Sequence, residues 1–300
     1  MQLRPITPDD LAACVEIFYE AEDELYGRLN QPQLPRNPQA LERLFAHIVA
    51  TDPGKCWLAE EGRRADGFGL AVERDGLHFL AFLFVRPAVQ SRGLGRRLLE
   101  HCLPLSGRRA TCVEAIQPVS TALYARYGLA PRLPIFTLVG QLDQPLAGLP
   151  AGLRLQTLEG LGETDRAALL VELDDLDRHV LGIGRPAEHR AWISWGREGF
   201  VLRADDPAEG PLGYGYAHSS GRLGPLLTLD ETHLLPLLGE LTQRVTPLDA
   251  WQVLVPGAAQ SMLVTLLQAG FRLDGPPALF CADGPGLDHR RYLPATFALP

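Results

Sequence analysis

The sequence predicts an α/β chain, in the α+β sense, made of two similar halves, each a mixed and mostly antiparallel sheet flanked by helices. Three observations carry this. Short apolar runs bounded by turn residues alternate with stretches of helical period over residues 1–141. One of those runs, Leu77 to Val85, stops at Pro87, turns through a Gln-x-x-Gly-x-Gly loop and restarts at helical spacing. After a Pro- and Gly-rich stretch at 142–152 the pattern begins again, and 300 residues suffice for two cores of ordinary domain size.

Leu3 to Ile6 reads as a short strand. Thr7-Pro8-Asp9-Asp10 then opens a helix, with threonine as N-cap, proline at the first position and acids in the first turn. Leu11, Val15 and Phe18 give that helix its apolar stripe, and Leu41, Leu44, Phe45 and Ile48 give a second helix, near Gln39 to Thr51, its own. Between them Tyr26 to Pro38, polar and Pro-rich, reads as a flexible loop. Strands follow at Cys56–Glu60, Gly67–Glu73 and His78–Val85, with Asp75-Gly76 as a tight turn. Beyond the glycine loop come a helix to Cys102, a strand from Thr111 to Ala115, a helix from Val119 to Tyr127 capped by Gly128, and a strand from Ile135 to Val139 that closes this half.

The glycine loop carries the chemistry. It places backbone N–H groups at the mouth of a helix, where the first turn has no internal acceptors and the dipole is positive. Gly93 and Gly95 lack Cβ atoms, so a bulky anion can come close, and Arg92, Arg96 and Arg97 add charge. A P-loop is excluded because no Lys-Ser/Thr follows the glycines. A dinucleotide-binding turn is excluded because the third glycine is absent and earlier strands precede the loop. A phosphate, most simply a pyrophosphate, is the ligand these residues suit.

Val85-x-Pro87-x-x-Gln90-x-x-Gly93-x-Gly95 resembles motif A of the GNAT acyltransferases, which bind acyl-coenzyme A, and Ala122-Leu123-Tyr124-x-x-x-Gly128-Leu129 resembles their motif B. The order of strands and helices is also that family's, so the resemblance covers about residues 1–141. It implies a GNAT domain at 1–141 that uses acetyl-coenzyme A and opens a V-shaped gap beside the strand before the loop. The backbone of Leu83 and Val85 would hold the pantetheine arm. The loop residues Gln90, Ser91, Arg92, Gly93, Leu94, Gly95 and Arg96 would hold the pyrophosphate. Tyr124 would be the general acid that protonates the departing thiolate, which a phenol of pKa near 10 can do at neutral pH. The general base stays open, because the strand before the loop reads Leu80-Ala81-Phe82-Leu83-Phe84 where the family often has a carboxylate. Glu114 leads, followed by His78, Glu20, Glu22, Asp23 and Glu24, and loss of the proton through ordered water with no dedicated base is the alternative. The implied reaction is direct attack of a small-molecule primary amine on acetyl-coenzyme A. A non-catalytic acyl-coenzyme A sensor is the rival that the missing carboxylate favours.

Leu153-Arg154-Leu155-Gln156-Thr157 echoes Leu3-Arg4-Pro5-Ile6-Thr7, and Leu266 to Phe271 echoes Tyr124 to Leu129. Residues 142–152 therefore read as a linker and 153–300 as a degenerate GNAT-like domain without the pyrophosphate loop. Asp230-Glu231-Thr232-His233 stands where the glycines would be, and its carboxylates would repel a diphosphate. Asp174, Asp175, Asp177 and His179 could suggest a metal, but their helical context reads as a solvated face, and no metal is expected.

Composition narrows the partners. A net charge of −8 disfavours nucleic acid, and no apolar run approaches the roughly 20 residues that span a bilayer. The start of the chain lacks a signal-peptide core, so a cytoplasmic location is expected, with a homodimer possible. Cys14, Cys56, Cys102, Cys112 and Cys281 show no metal-binding spacing and read as reduced core residues.

Overall fold

The computed structural model describes every residue except 143, 207 and 285. The first half supplies strands β1 (Gln2–Pro5), β2 (Cys56–Glu61), β3 (Arg64–Arg74), β4 (Leu77–Val85), β5 (Arg108–Glu114) and β6 (Ala130–Gly140), with helices α1 (Leu11–Arg28), α2 (Pro38–Thr51), α3 (Leu94–Cys102) and α4 (Pro118–Arg126). The second supplies β7 (Leu153–Thr157), β8 (Glu198–Ala204), β9 (Pro211–Ala217), β10 (Arg222–Thr228), β11 (Trp251–Pro256), β12 (Arg272–Leu273), β13 (Ala278–Ala282) and β14 (Tyr292–Leu293). Its helices are α5 (Glu163–Leu181), α6 (Pro186–Ser194), α7 (Leu234–Arg244) and α8 (Gln260–Gln268).

All the strands join one mixed sheet with the order β1-β2-β3-β4-β5-β13-β6-β11-β10-β9-β8-β7, with β12 on β6 and β14 on β10. Read from either edge, five strands of one half are followed by the last long strand of the other. β13 pairs antiparallel with β5 through Ala278↔Glu114 to Ala282↔Ala110. β6 pairs with β13 on one side and β11 on the other. The strand around Ile135 to Val139 therefore does not close the first half on itself; it lies inside the second half's sheet. The physical reason is edge satisfaction. β6 is long, with Ile135 and Leu138 buried, and needs partners on both sides, while β5 would otherwise show an unpaired edge.

Helices cover both faces. Phe45 and Ile48 of α2 join Phe68, Leu70 and Val72 of β3 in one apolar cluster, which also takes in Leu173 of α5 and Trp192 of α6. On the opposite face α3 lies close on β3: a Cβ added to Gly69 would stand 2.5 Å from the Cys102 sulfur, so only glycine admits this approach. The entry to α1 is a capping box, in which the Thr7 N–H donates to Asp10 Oδ2 at 2.8 Å after a turn of 3-10 helix at Pro8–Asp10.

Two expectations need correction. The segment from Tyr26 is not loop throughout, because α1 continues to Arg28 with Tyr26 buried, and the end of the connection is pinned where the Asn37 N–H donates to the Tyr19 hydroxyl at 2.8 Å. The face of α5 that carries Asp174, Asp175, Asp177 and His179 is solvated only in part: Asp175 and His179 are exposed, but Asp174 and Asp177 are not. Asp177 is fully buried, taking two bonds from Arg185 at 2.9 Å each and one from His189 at 3.0 Å, and Asp174 is buried against Arg178. Arg185 and His189 come from the turn and helix after α5, so linear spacing could not place them beside Asp177. The five cysteines are free, and all but Cys112 are buried.

The exchange of β6 and β13 makes the halves dependent on each other. A fragment of residues 1–141 made alone should lack native near-ultraviolet circular dichroism and recover it when mixed with residues 142–300. In the full chain Phe280→Ala should cost about 3–5 kcal/mol in denaturant unfolding.

Candidate functional site

β4 and β5 run parallel and pair only from Leu77↔Arg108 to Leu80↔Thr111. Beyond that point they part. Opposite Leu70 and Ala71 of β3 the register slips by one residue at Ala81, a β-bulge that bends β4 just where it leaves β5. Residues 81–85 keep β3 on one side, and no strand among the described residues meets their other side. Leu83 and Val85 both lie in this stretch, at the mouth of a V-shaped opening.

The glycine loop follows at once. A 3-10 turn at Pro87–Val89 leads through Gln90, whose side-chain amide donates to the Val85 carbonyl at 2.9 Å and ties the loop to the strand. Ser91 and Gly93 have φ of 65° and 79°, the left-handed region, where serine is strained and glycine is not. The Gln90 N–H bonds back to Pro87 and the Arg97 N–H bonds to Gly93, at 3.3 and 3.1 Å. Between them the amides of residues 91–96, covering Ser91, Arg92, Gly93, Leu94, Gly95 and Arg96, find no acceptor among the described residues. A Cβ on Gly95 would meet only Val85 and Leu123 at ordinary contact distance, so the fold itself does not demand glycine there. These open amides, with exposed Arg92 and Arg97 beside them, have the geometry and charge that could hold an anion.

The two candidate catalytic side chains lie on opposite faces of the sheet. Tyr124, 5% exposed, sits in the cluster under α3 and α4 with Leu99, Cys102, Val113 and Cys281. Burial drives its phenol pKa upward, so it stays protonated. Tyr127, the other tyrosine of α4's end, is turned outward to Glu100. Glu114 ends β5, past the last β4–β5 pair, and accepts a hydrogen bond from Tyr26 of α1 at 2.7 Å. Burial raises its pKa, opposed by that bond.

The remaining base candidates sort themselves. Glu20 and Glu16 hold Arg86, Asp23 pairs with Arg36, and Glu24 lies 3.7 Å from Arg28. His78 pairs with Arg109 at the closed end of the β4–β5 ladder, away from the opening. Only Glu22 is both buried, at 8% exposed, and without a hydrogen bond to its Oε2. Burial, then the charges of Glu114 and Asp23, push its pKa up to about 8. Helical spacing alone cannot tell this residue from its paired neighbours.

The second half repeats the opening and fills it. β10 and β11 pair in parallel only at Arg222↔Gln252 and Leu223↔Val253, and β14 then pairs with β10 at Leu226↔Leu293 and Leu227↔Tyr292. The segment 230–233 caps its own helix, with Asp230 accepting from the Thr232 N–H at 2.9 Å. Among the described residues no group of three or more metal-binding side chains gathers, and no helix is long and apolar enough to cross a membrane.

Residues 16–129 match the Acetyltransferase (GNAT) family model. A crystal structure described as a candidate acetyltransferase from Pyrococcus horikoshii superposes with a TM-score of 0.75 at 16% identity, covering 100% of this chain and 95% of that one. A tandem GNAT protein from the clavulanic acid biosynthesis pathway gives 0.57 at 18% identity, covering 95% and 99%. A GCN5-related N-acetyltransferase from Sphaerobacter thermophilus gives 0.55 at 14%, covering 97% and 98%. No curated protein gives a significant match.

A buried carboxyl with a raised folded pKa favours the native state at low pH and loses that contribution as pH climbs toward the raised value. For Glu22 that window runs from its ordinary value of 4.5 to about 8. Glu22→Gln should therefore match the parent protein below pH 4.5 and exceed its stability by on the order of 4 kcal/mol at pH 8, read by chemical denaturation across pH.

Proposed function

We propose, from the premise that the chain belongs to the GNAT acyltransferase superfamily through its front half, that it moves an acetyl group from acetyl-coenzyme A to a primary amine of a small molecule. The observation that carries this reading is the run of unsatisfied amides at residues 91–96 directly below the open edge of β4. Four charge-assisted bonds to a diphosphate there, at about 1.5–3 kcal/mol each, would anchor the cosubstrate. The backbone of Leu83 and Val85 then lines the slot that an extended pantetheine arm fits, in the manner of an added strand. In this account the cosubstrate supplies the activated acetyl group, and the chain supplies position and proton transfer.

Glu114, on the α1 face, takes a proton from the amine, whose nitrogen forms the new C–N bond at the carbonyl carbon. The β4 backbone polarises the carbonyl oxygen. As the C–S bond breaks, Tyr124, on the α3 and α4 face, gives its proton to the thiolate and regains one from solvent. No acyl-enzyme is formed. The halves at 1–141 and 153–300, joined by 142–152, divide the labour: the front one binds the cosubstrate, and β14 supports the view that the back one does not.

Tyr124→Phe should lower kcat by about 10²-fold or more in a thiol-release assay on a panel of amines, and unchanged turnover at every pH would remove it from the acid role. Calorimetry should give one coenzyme A per chain, and two would overturn the assignment of the back half. Tight binding with no turnover on any acceptor would favour the sensor reading instead.

A further inference from the structure

We propose that Glu22 and Glu114 work together as one electrostatically interacting carboxylate pair that receives the acceptor as an alkylammonium ion and releases a proton to solvent as that cation arrives. This rests on the acyl-transfer reading of the same opening and narrows its acceptor class. The pair is assembled from two elements, α1 and β5, at the point where β4 and β5 have parted. Glu22 lies one turn before Tyr26 on α1, hence on the same helix face, and the Tyr26 hydroxyl reaches Glu114 Oε1 at 2.7 Å.

Both carboxyl groups are incomplete. Glu22 Oε2 and Glu114 Oε2 are buried and find no hydrogen-bond donor among the described residues. A buried acceptor left in that condition is destabilising, and two in one place call for a donor from outside the chain. Glu22 faces Asp23 from its own helix and Glu114 from β5, while Asp274, just after β12, reaches Tyr26 electrostatically. None of these is a cation. Arg86, which could have served, is held by Glu16 and Glu20.

An alkylammonium head offers three N–H donors and the missing positive charge. At neutral pH burial and the neighbouring Glu114 favour the protonated form of Glu22, so the pair resists carrying two negative charges. A cation between them favours the doubly ionised pair, and the displaced proton leaves for solvent. Glu114 is then free to take the ammonium proton in the transfer step. An arylamine arrives neutral at this pH and cannot discharge the pair, so alkylamines are the favoured acceptors.

The test uses full-length protein with carboxyl-¹³C glutamate, in which the resonance lost in Glu22→Gln identifies Glu22. In the free protein that resonance should titrate near pH 8, and n-butylamine should move its midpoint down by one pH unit or more while aniline leaves it in place. A midpoint in the ordinary glutamate range, or one indifferent to n-butylamine, overturns the proposal. Coenzyme A binding is measured on the same sample by calorimetry. Its absence overturns the acyl-transfer reading and this one together, whereas normal binding with an ordinary Glu22 titration overturns this one alone.

Discussion

Parallel pairing between β4 and β5 ends after four residue pairs, and the rest of the molecule's working geometry follows from that short ladder. Beyond Leu80, alternate residues of β4 turn their backbone groups to an edge that no strand among the described residues meets. Exposed strand edges are normally blunted or covered. Here the edge leads into six amides, at residues 91–96, that also find no acceptor among the described residues. In the proposed reading, a strand edge and a helix mouth placed end to end would receive a ligand that is peptide-like along part of its length and anionic at its end. The bulge at Ala81 and the strained left-handed Ser91, followed by Gly93 in the same region without strain, shape this stretch of chain.

The second half shows what the same ladder does when the chain completes it. β10 and β11 also part after a short parallel pairing, but β14 enters the gap and Asp230 caps the 3-10 turn at Glu231–His233 that leads into α7. Tyr292 of β14 hydrogen-bonds Arg185 at 2.6 Å, which ties the plug to the buried Asp177 network. One fold thus appears twice, once with its backbone groups available and once with them spent internally. The exchanged strands β6 and β13 bind the copies into a single sheet, so the closed half contributes stability and edge coverage to the open one.

Much of this was legible in the residues. Apolar periodicity, Pro87 and the two glycines placed β4, the loop and α3, and the echo of Leu3–Thr7 at Leu153–Thr157 indicated a repeat. What was not legible depends on long-range pairing. No local pattern says that β6 will pair with β11 and β13, because a strand's own sequence records that it is buried and not by whom. The acids at 20–24 look alike in sequence, yet Arg86 and Arg36 take Glu20 and Asp23 and leave Glu22 alone with Glu114. Asp177 was equally opaque, since its partners Arg185 and His189 lie beyond the end of its helix. The carboxylates at 230–231 read only as repelling a diphosphate, and nothing in that segment says that a strand some sixty residues further on pairs with β10.

The central claim is that the diphosphate, held by the amides of residues 91–96, supplies most of the cosubstrate's affinity. Titration of the full chain with acetyl-coenzyme A and with S-acetylpantetheine, which shares the arm and thioester but lacks the diphosphate and nucleotide, tests it directly. The account predicts that S-acetylpantetheine binds at least 10²-fold more weakly, with the difference shrinking as salt rises. Affinities within a few-fold of each other at low salt would contradict it.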